Sequence, residues 1–325
     1  MIPDICGRYV MTNIKDIARL AGVSVSTVSR VLNNYKHVAR DKRESVLRVI
    51  EEMNYTPNKN AIDLIRGETR TIGVILPYNN NPAFDQILNG ILNKALEHDF
   101  SITVLPSIYS KEKEVEYLQK LKSKLYDGII ITSRANDWET IIPYTGYGSI
   151  VSCEYTQHKE IGCSYMDRYS SYLDAFQLLK NKGHYAVAFT TARIESNSTK
   201  QMIGAYKEVF GEFQPKYHIS GCLCLEDGYK AAEHFLHLPE RPTAVYANGD
   251  EVAGGIYLYA KSQQLKIPAD LAIIGQENQP IGIGMGITTV DHQLTKIGEQ
   301  AFSLVIKKSR EKVKIPYHIV ERDSV

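Results

Sequence analysis

The sequence predicts a small all-α head followed by a larger α/β body of two parallel sheets, and three observations carry that expectation. Between Asn13 and Asn33, two short apolar stripes at helical spacing are separated by Ala21-Gly22-Val23. From Thr71 onward, short apolar runs alternate with stretches of helical periodicity, the pattern of strands linked by crossover helices. The 325 residues, 43% of them hydrophobic, suffice for two or three domains with cores of their own.

Ile14, Ile17, Ala18 and Ala21 form the first stripe, and Val28, Val31 and Leu32 the second. Asn13 is placed to cap the first helix, with Asp16 favouring the positive end of its dipole. Gly22 supplies the freedom of a tight turn, and Ala18 is small enough for two helices to approach. Ser24 caps a second helix carrying Val25, Ser26, Thr27, Ser29 and Arg30. Such a face suits a DNA major groove: hydroxyls reach phosphates or base edges, and arginine donates two bonds to guanine. A third helix is expected over 38–53, with Val46, Leu47, Val49, Ile50 and Met53 as its apolar face. Pro57 ends that region, since the residue before a proline is pushed out of helical geometry. Asn58 can cap one more segment, 59–66, too short to be a stable helix alone in water. Two amphipathic helices around a glycine also occur in many all-α proteins, so periodicity alone leaves DNA binding one reading among several.

In the body, strands are expected at 71–77, 101–106, 128–133, 150–153, 186–191, 243–247 and 271–275. Helices are expected at 83–97, 111–122, 170–182, 197–210, 226–237, 251–263 and 294–307. The stretch around Tyr217 reads as irregular. Alternation of this kind implies parallel sheets covered on both faces.

Composition narrows the function. Residues 1–66 hold 11 Lys or Arg against 7 Asp or Glu (+4), whereas the rest holds 27 against 30 (−3). A basic head on a mildly acidic body fits nucleic-acid contact confined to the N-terminal part. Cys6, Cys153, Cys163, Cys222 and Cys224 are an odd number without disulfide or metal spacing, so reduced thiols are expected. The nine histidines show no paired ligand spacing, and neither a metal nor a cofactor is expected. No apolar run approaches the ~18 residues of a membrane span, and no signal-peptide core is seen, which points to a cytoplasmic, non-membrane protein. Gly282-x-Gly284-x-Gly286 joins no strand to a helix and reads as a flexible surface loop. No nucleophile elbow or phosphate-binding loop is present, so an enzyme is not expected.

The run LAGVSVSTVSRVLN resembles the helix-turn-helix of the LacI/GalR family of bacterial transcription regulators. The resemblance continues through YTPN (55–58), AIDLIRG (61–67) and TIGVILP (71–77) to VERDS (320–324), covering nearly the whole chain. It implies four parts: an extension at 1–11, a helix-turn-helix domain at 12–57, a hinge helix at 58–67, and a core at 68–325. That core would be two Rossmann-like subdomains resembling periplasmic sugar-binding proteins, with a ligand cleft between them. The first crossing between subdomains is placed near Asp167 and the last near Thr289-Val290.

By the same resemblance a homodimer binds double-stranded operator DNA. Val25, Ser26 and Arg30 would read bases, Thr27, Ser29 and Asn33 would sit on phosphates, and Asn58, Ala61 and Leu64 would belong to the minor-groove contact. Leu64 matches the family's wedge between central base pairs. Asp63 stands where members usually carry serine, an unfavourable charge near phosphates.

The effector contacts carried over are Phe84, Glu154, Gln201, Gly249, Asp250 and Glu277. Three of them depart from the family: Glu154 and Glu277 stand where aspartate is usual, and Gln201 where sugar- and purine-binding members place arginine. A cleft of carboxylates without that planar guanidinium is expected to hold a free sugar poorly. TPNKNAIDLIRGETRTIGVILPY, DGIIITSRANDW and AVYANGDEVAGGIYLYAK resemble the catabolite-control branch of the family. That narrower resemblance implies repression or activation of carbon-use genes, with a repressor as the leading expectation, controlled by a sugar or sugar phosphate, by serine-phosphorylated HPr, or by both. The competing class is a cytosolic sugar-binding protein or enzyme with an incidental helical head, distinguished by whether it shifts a DNA fragment.

Overall fold

The computed structural model describes residues 2–3, 9–10, 13–32, 35–55 and 67–325. Asn33, Asn58, Ala61 and Leu64 lie outside the described residues, as does Asp63. The chain divides into two compact units between Thr69 and Arg70.

In the first unit Ile2–Pro3 (β1) pairs antiparallel with Tyr9–Val10 (β2). Three helices follow: α1 (Ile14–Leu20), α2 (Val25–Leu32) and α3 (Arg40–Glu52). The expected capping of α1 is realised reciprocally. The Asn13 side chain accepts from the backbone of Lys15 and Asp16, and Asp16 accepts from the Asn13 N–H at 3.2 Å. Gly22 turns the chain at φ +68°, and the Ser45 hydroxyl donates to the Ala21 carbonyl at 3.1 Å, tying α3 to that turn. Ile17, Ala18, Val28, Val31, Val46 and Val49 form the core of this unit. Leu47 was expected on the buried face of α3 and is instead 50% exposed. Val46 and Val49 lie three residues apart on one helix face, and their neighbour Leu47 is turned about 100° away.

The second unit holds two six-stranded sheets. In the first lobe the order is β13-β7-β6-β5-β3-β4. Its strands are β3 (Thr71–Leu76), β4 (Ser101–Pro106), β5 (Gly128–Ile131), β6 (Ser149–Ser152), β7 (Gly162–Met166) and β13 (Lys312–Ile315), all parallel. In the second lobe the order is β14-β12-β11-β10-β8-β9. Those strands are β8 (Val187–Thr191), β9 (His218–Ser220), β10 (Ala244–Tyr246), β11 (Ala272–Gln276), β12 (Thr288–Asp291) and β14 (His318–Val320). Only β14 runs antiparallel to its neighbour. Helices α4 (Pro82–Glu97), α5 (Lys111–Lys122), α6 (Trp138–Ile141) and α12 (Leu294–Ile306) belong to the first lobe. Helices α7 (Arg168–Asn181), α8 (Asn197–Phe210), α9 (Leu225–Leu236), α10 (Asp250–Ser262) and α11 (Pro280–Gly284) belong to the second.

The chain passes between lobes three times. The first passage is at Asp167, as expected. The second follows β12, at His292-Gln293, because Thr289 and Val290 are themselves paired in the second sheet. The last lies at Pro316-Tyr317, between β13 and β14, and corrects the expectation that crossing ended near Thr289-Val290. Gln293 adopts a left-handed conformation and donates from Nε2 to the Pro316 carbonyl at 2.6 Å, so the second and third passages are tied together. Lys314 pairs with Asp167 at 2.8 Å, tying β13 to the first.

The expected loop at Gly282-Gly286 is also overturned. Pro280–Gly284 is a helical turn, and Gly282 is buried where a Cβ would sit 2.5 Å from an Asp250 carboxylate oxygen. A close helix contact in the second lobe is set by glycine too. A Cβ on Gly255 of α10 would stand 1.9 Å from the Leu225 carbonyl oxygen of α9, and one on Gly228 would stand 2.0 Å from that of Val252. Backbone cannot yield as a flexible side chain does. Gly255→Ala is therefore expected to destabilise the body by about 1–3 kcal/mol or more, seen as a lower urea midpoint. An unchanged midpoint would show that the helix pair can separate at no cost.

Candidate functional site

Helix α2 turns Val28 and Val31 into the core and leaves a polar face outside. Val25 is 42% exposed, Ser26 and Arg30 are exposed, and Thr27 and Ser29 are half-buried. Ser24 begins the helix by accepting from the Thr27 N–H at 3.2 Å, and its hydroxyl also meets those of Ser26 at 2.8 Å and Thr27 at 2.9 Å. The hydroxyls at the leading end of α2 therefore form one hydrogen-bonded cluster, with Arg30 a turn further on. Five of the residues expected to touch DNA share this helix: Val25, Ser26, Thr27, Ser29 and Arg30.

In the second unit a cavity of about 550 Å³ opens between the lobes. It is built from the loops that leave the carboxyl ends of the strands, where open α/β sheets place their ligands. The volume lies within the ~300–1,000 Å³ of small-molecule sites. Of the residues expected here, Phe84, Glu154, Gln201, Gly249 and Glu277 line it.

Asp250 does not. Its carboxylate is fully buried, accepting from the Gln279 N–H and the Thr289 hydroxyl, each at 2.7 Å. Burial pushes this carboxyl up to about 7, against those two hydrogen bonds, which favour the ion. Asp250 thus braces the loop that carries Glu277 and Gln279 to the cavity and does not itself line it.

The expectation of carboxylates without arginine is corrected as well. Gln201 indeed brings no charge, but Arg134, Arg168 and Arg193 all line the cavity from other loops. Arg134 lies 3.7 Å from Glu154 and over the Trp138 ring at 4.7 Å. The Glu114 carboxylate, buried, holds the loop behind it by accepting from the Ala135 and Asn136 backbone N–H groups. Arg168 faces Glu277 at 3.9 Å. Arg193 rests 3.4 Å above the Tyr109 ring.

Glu277 sits at a node. Its carboxylate meets Nδ1 of His292 at 3.1 Å, and Nε2 of His292 meets the Ser171 hydroxyl at 2.9 Å. Both partners of this contact are buried, Glu277 at 4% exposure and His292 at 0%. The Glu277 carbonyl accepts from Nε2 of Gln86, across the cleft, at 2.9 Å. His292 stands on the second passage and Ser171 in the first turn of α7, just after the first, so a cleft carboxylate is wired to both. The Nε2 of Gln276, buried beside Glu277 on the cavity wall, has no protein acceptor.

Spacing in the sequence could not have located His292 or the three arginines, because each reaches the cavity only through the lobe topology. Among the described residues, no group of three or more His, Cys, Asp or Glu is placed to hold a metal, and Cys153, Cys163, Cys222 and Cys224 are unpaired. No helix among them is long and apolar enough to cross a membrane.

Comparison with known proteins agrees over both units. Residues 13–58 match the family model described as bacterial regulatory proteins, lacI family. Residues 69–322 match that of periplasmic binding proteins and sugar binding domain of LacI family. Catabolite control protein B of Bacillus subtilis is 46% identical over 94% of this chain and 98% of its own length. Catabolite control protein A of Priestia megaterium is 30% identical over 96% and 98%. Among solved structures, the lac repressor dimer bound to operator and the anti-inducer ONPF superposes with a TM-score of 0.84 at 22% identity, covering 97% of this chain and 99% of that one. The complex of the regulator CelR with cellobiose gives 0.69 at 20%, covering 97% and 100%. With its helical head, its two-lobed body and whole-length relatives of this kind, the chain belongs to the lacI family of bacterial regulatory proteins.

Proposed function

We propose that this chain is a sequence-specific DNA-binding transcriptional regulator of carbon-use genes, working as a homodimer in the cytoplasm and controlled by a small polar effector in the cleft. The observation that carries the DNA-binding part is the solvent face of α2, where Val25, Ser26 and Arg30 are exposed while the opposite face closes the core. In this reading Val25, Ser26 and Arg30 contact base edges, and Thr27 and Ser29 position the helix on phosphates. Asn33, Asn58, Ala61 and Leu64 complete the contact as the family resemblance implies. A role in carbon-use regulation is supported by near-whole-length similarity to two catabolite control proteins, and a repressor role by relatives named as the transcriptional repressor PurR.

The cleft suits a hydroxylated ligand. Glu154, Asp167 and Glu277 offer acceptors, Arg134, Arg168, Gln201 and Gln276 offer donors, and Phe84, Tyr155 and Tyr165 offer ring faces. A sugar or sugar phosphate meets that description, and a solved relative of the same fold binds cellobiose. The protein corepressor, serine-phosphorylated HPr, is a second reading, which rests on the family resemblance.

The chain carries its own reporter for this test. Trp138 is the only tryptophan, and its ring lies under the Arg134 guanidinium that lines the cavity. Sugars, sugar phosphates and phosphorylated HPr are titrated while Trp138 emission and operator affinity are followed together. A true effector is expected to shift both with one midpoint, and to change operator affinity by about 1–3 kcal/mol, roughly five- to 150-fold. DNA binding is tested at moderate salt with genomic fragments, including the gene's own upstream region. Equal retention of every duplex, all displaced alike by competitor, would refute specific regulation.

A further inference from the structure

We propose that Tyr109 and Arg193 form a latch across the mouth of the cleft, held in place by the Glu154 carboxylate. The two residues come from opposite lobes: Tyr109 follows β4 and Arg193 follows β8. The guanidinium carbon lies 3.4 Å from the ring centroid, a face-on cation–π contact. Arg134 and Arg168 each have a carboxylate within 4 Å, whereas Arg193 has none among the described residues, so this ring is its charged-group contact.

The ring is also held there at a cost. Ile108 and Tyr109 are consecutive non-glycine residues at φ +51° and +53°, a conformation that persists only where surrounding contacts impose it. Those contacts are visible. Tyr78 meets the ring edge-on at 5.5 Å, and the Tyr109 hydroxyl donates to Ser133 at 3.2 Å. The Ser133 hydroxyl in turn donates to Glu154 at 2.7 Å. A ligand donor that takes this Glu154 oxygen competes with Ser133 and loosens the tether of the ring. The Gln86–Glu277 hydrogen bond is a separate bridge between the lobes.

The consequence for regulation rests on the cleft being the effector site. The test needs neither effector nor DNA, so the latch and that reading fail separately. Cys153 and Cys222 line the cavity from opposite lobes and are buried, while Cys163 is buried without lining it. Iodoacetamide labelling of the full chain, read peptide by peptide, therefore clocks opening of the mouth against an internal control. Arg193→Ala and Tyr109→Leu are expected to speed labelling at Cys153 and Cys222 by about two- to thirty-fold, the factor to which about 0.5–2 kcal/mol of cation–π attraction converts. Cys163 is expected to keep its rate, and Tyr109→Phe, which retains the ring, to label more slowly than Tyr109→Leu. Wild-type rates at both cavity thiols in Arg193→Ala and Tyr109→Leu would overturn the latch. So would a parallel rise at Cys163, which would make the pair part of general stability.

Discussion

His292→Leu is expected to destabilise the body by about 1–3 kcal/mol or more, the usual loss when a buried carboxylate is left without its hydrogen-bond partner. The size follows from what is left behind. Glu277 is almost wholly buried, and without the imidazole the one cation within 4 Å of its carboxylate among the described residues is Arg168, at 3.9 Å. The Ser171 hydroxyl still donates to the Arg168 carbonyl at 2.8 Å but loses its partner on the ring side. Coulomb attraction at that distance does not replace two contacts at 3.1 Å in a desolvated site.

The variants separate charge from shape. His292→Gln keeps a donor towards Glu277 and is expected to recover part of the loss. Adding Glu277→Gln to His292→Leu removes the stranded charge and is expected to recover more, a coupling that a double-mutant cycle measures. Urea denaturation of these variants, with wild type and Glu277→Gln alone to close the cycle, decides it. If His292→Leu unfolds at the wild-type midpoint, the imidazole is not holding Glu277, and the wiring from cleft to passages is absent.

How far the sequence foresaw this arrangement depends on whether the cause was local. The capping of α1 was readable because Asn13 and Asp16 stand three residues apart, and both halves of the capping box form. TIGVIL reads as a buried strand because it is one, with five of its six residues buried. KVKI and HIV were missed for the opposite reason. Lysine and an apolar residue do alternate in the first, but over only four residues, and the second is three residues long, so neither run is long enough to stand out as a strand, yet together they flank the last passage between lobes. Leu47 failed because an apolar residue beside two buried ones need not share their helix face.

The placement of Asp250 away from the cavity is of another kind. A carboxylate at the mouth of a helix after a strand suggests a ligand, and only tertiary packing shows Gln279 and Thr289 occupying it. Arg134, Arg168 and Arg193 stand 34 and 25 residues apart in order, and nothing in that spacing announces one cavity. Local capping, periodicity and turn chemistry are legible; convergence through three lobe passages is not.

Arg30→Ala is expected to weaken specific DNA binding by about 1–3 kcal/mol, roughly five- to 150-fold, while leaving the head folded. Both halves of that expectation come from where the side chain lies. Arg30 is exposed in the last turn of α2 and makes no ion pair within the described residues, so its removal takes nothing from the core of Ile17, Val28, Val31, Val46 and Val49. Val28→Ala is the contrasting variant: Val28 is fully buried, and shortening it leaves a cavity in a core of six small and medium side chains. Val28→Ala is expected to lower the melting temperature of the head and to weaken operator and scrambled duplex alike. Arg30→Ala should spare the melting temperature and reduce mainly the preference for operator, because a guanidinium reading a base discriminates while one on a phosphate only attracts. Fluorescence anisotropy on the two duplexes at one fixed salt concentration separates the cases, since the phosphate contribution falls steeply with salt. If Arg30→Ala loses equal affinity for both duplexes, the residue sits on the backbone, and base reading falls to Val25 and Ser26 at the start of the helix.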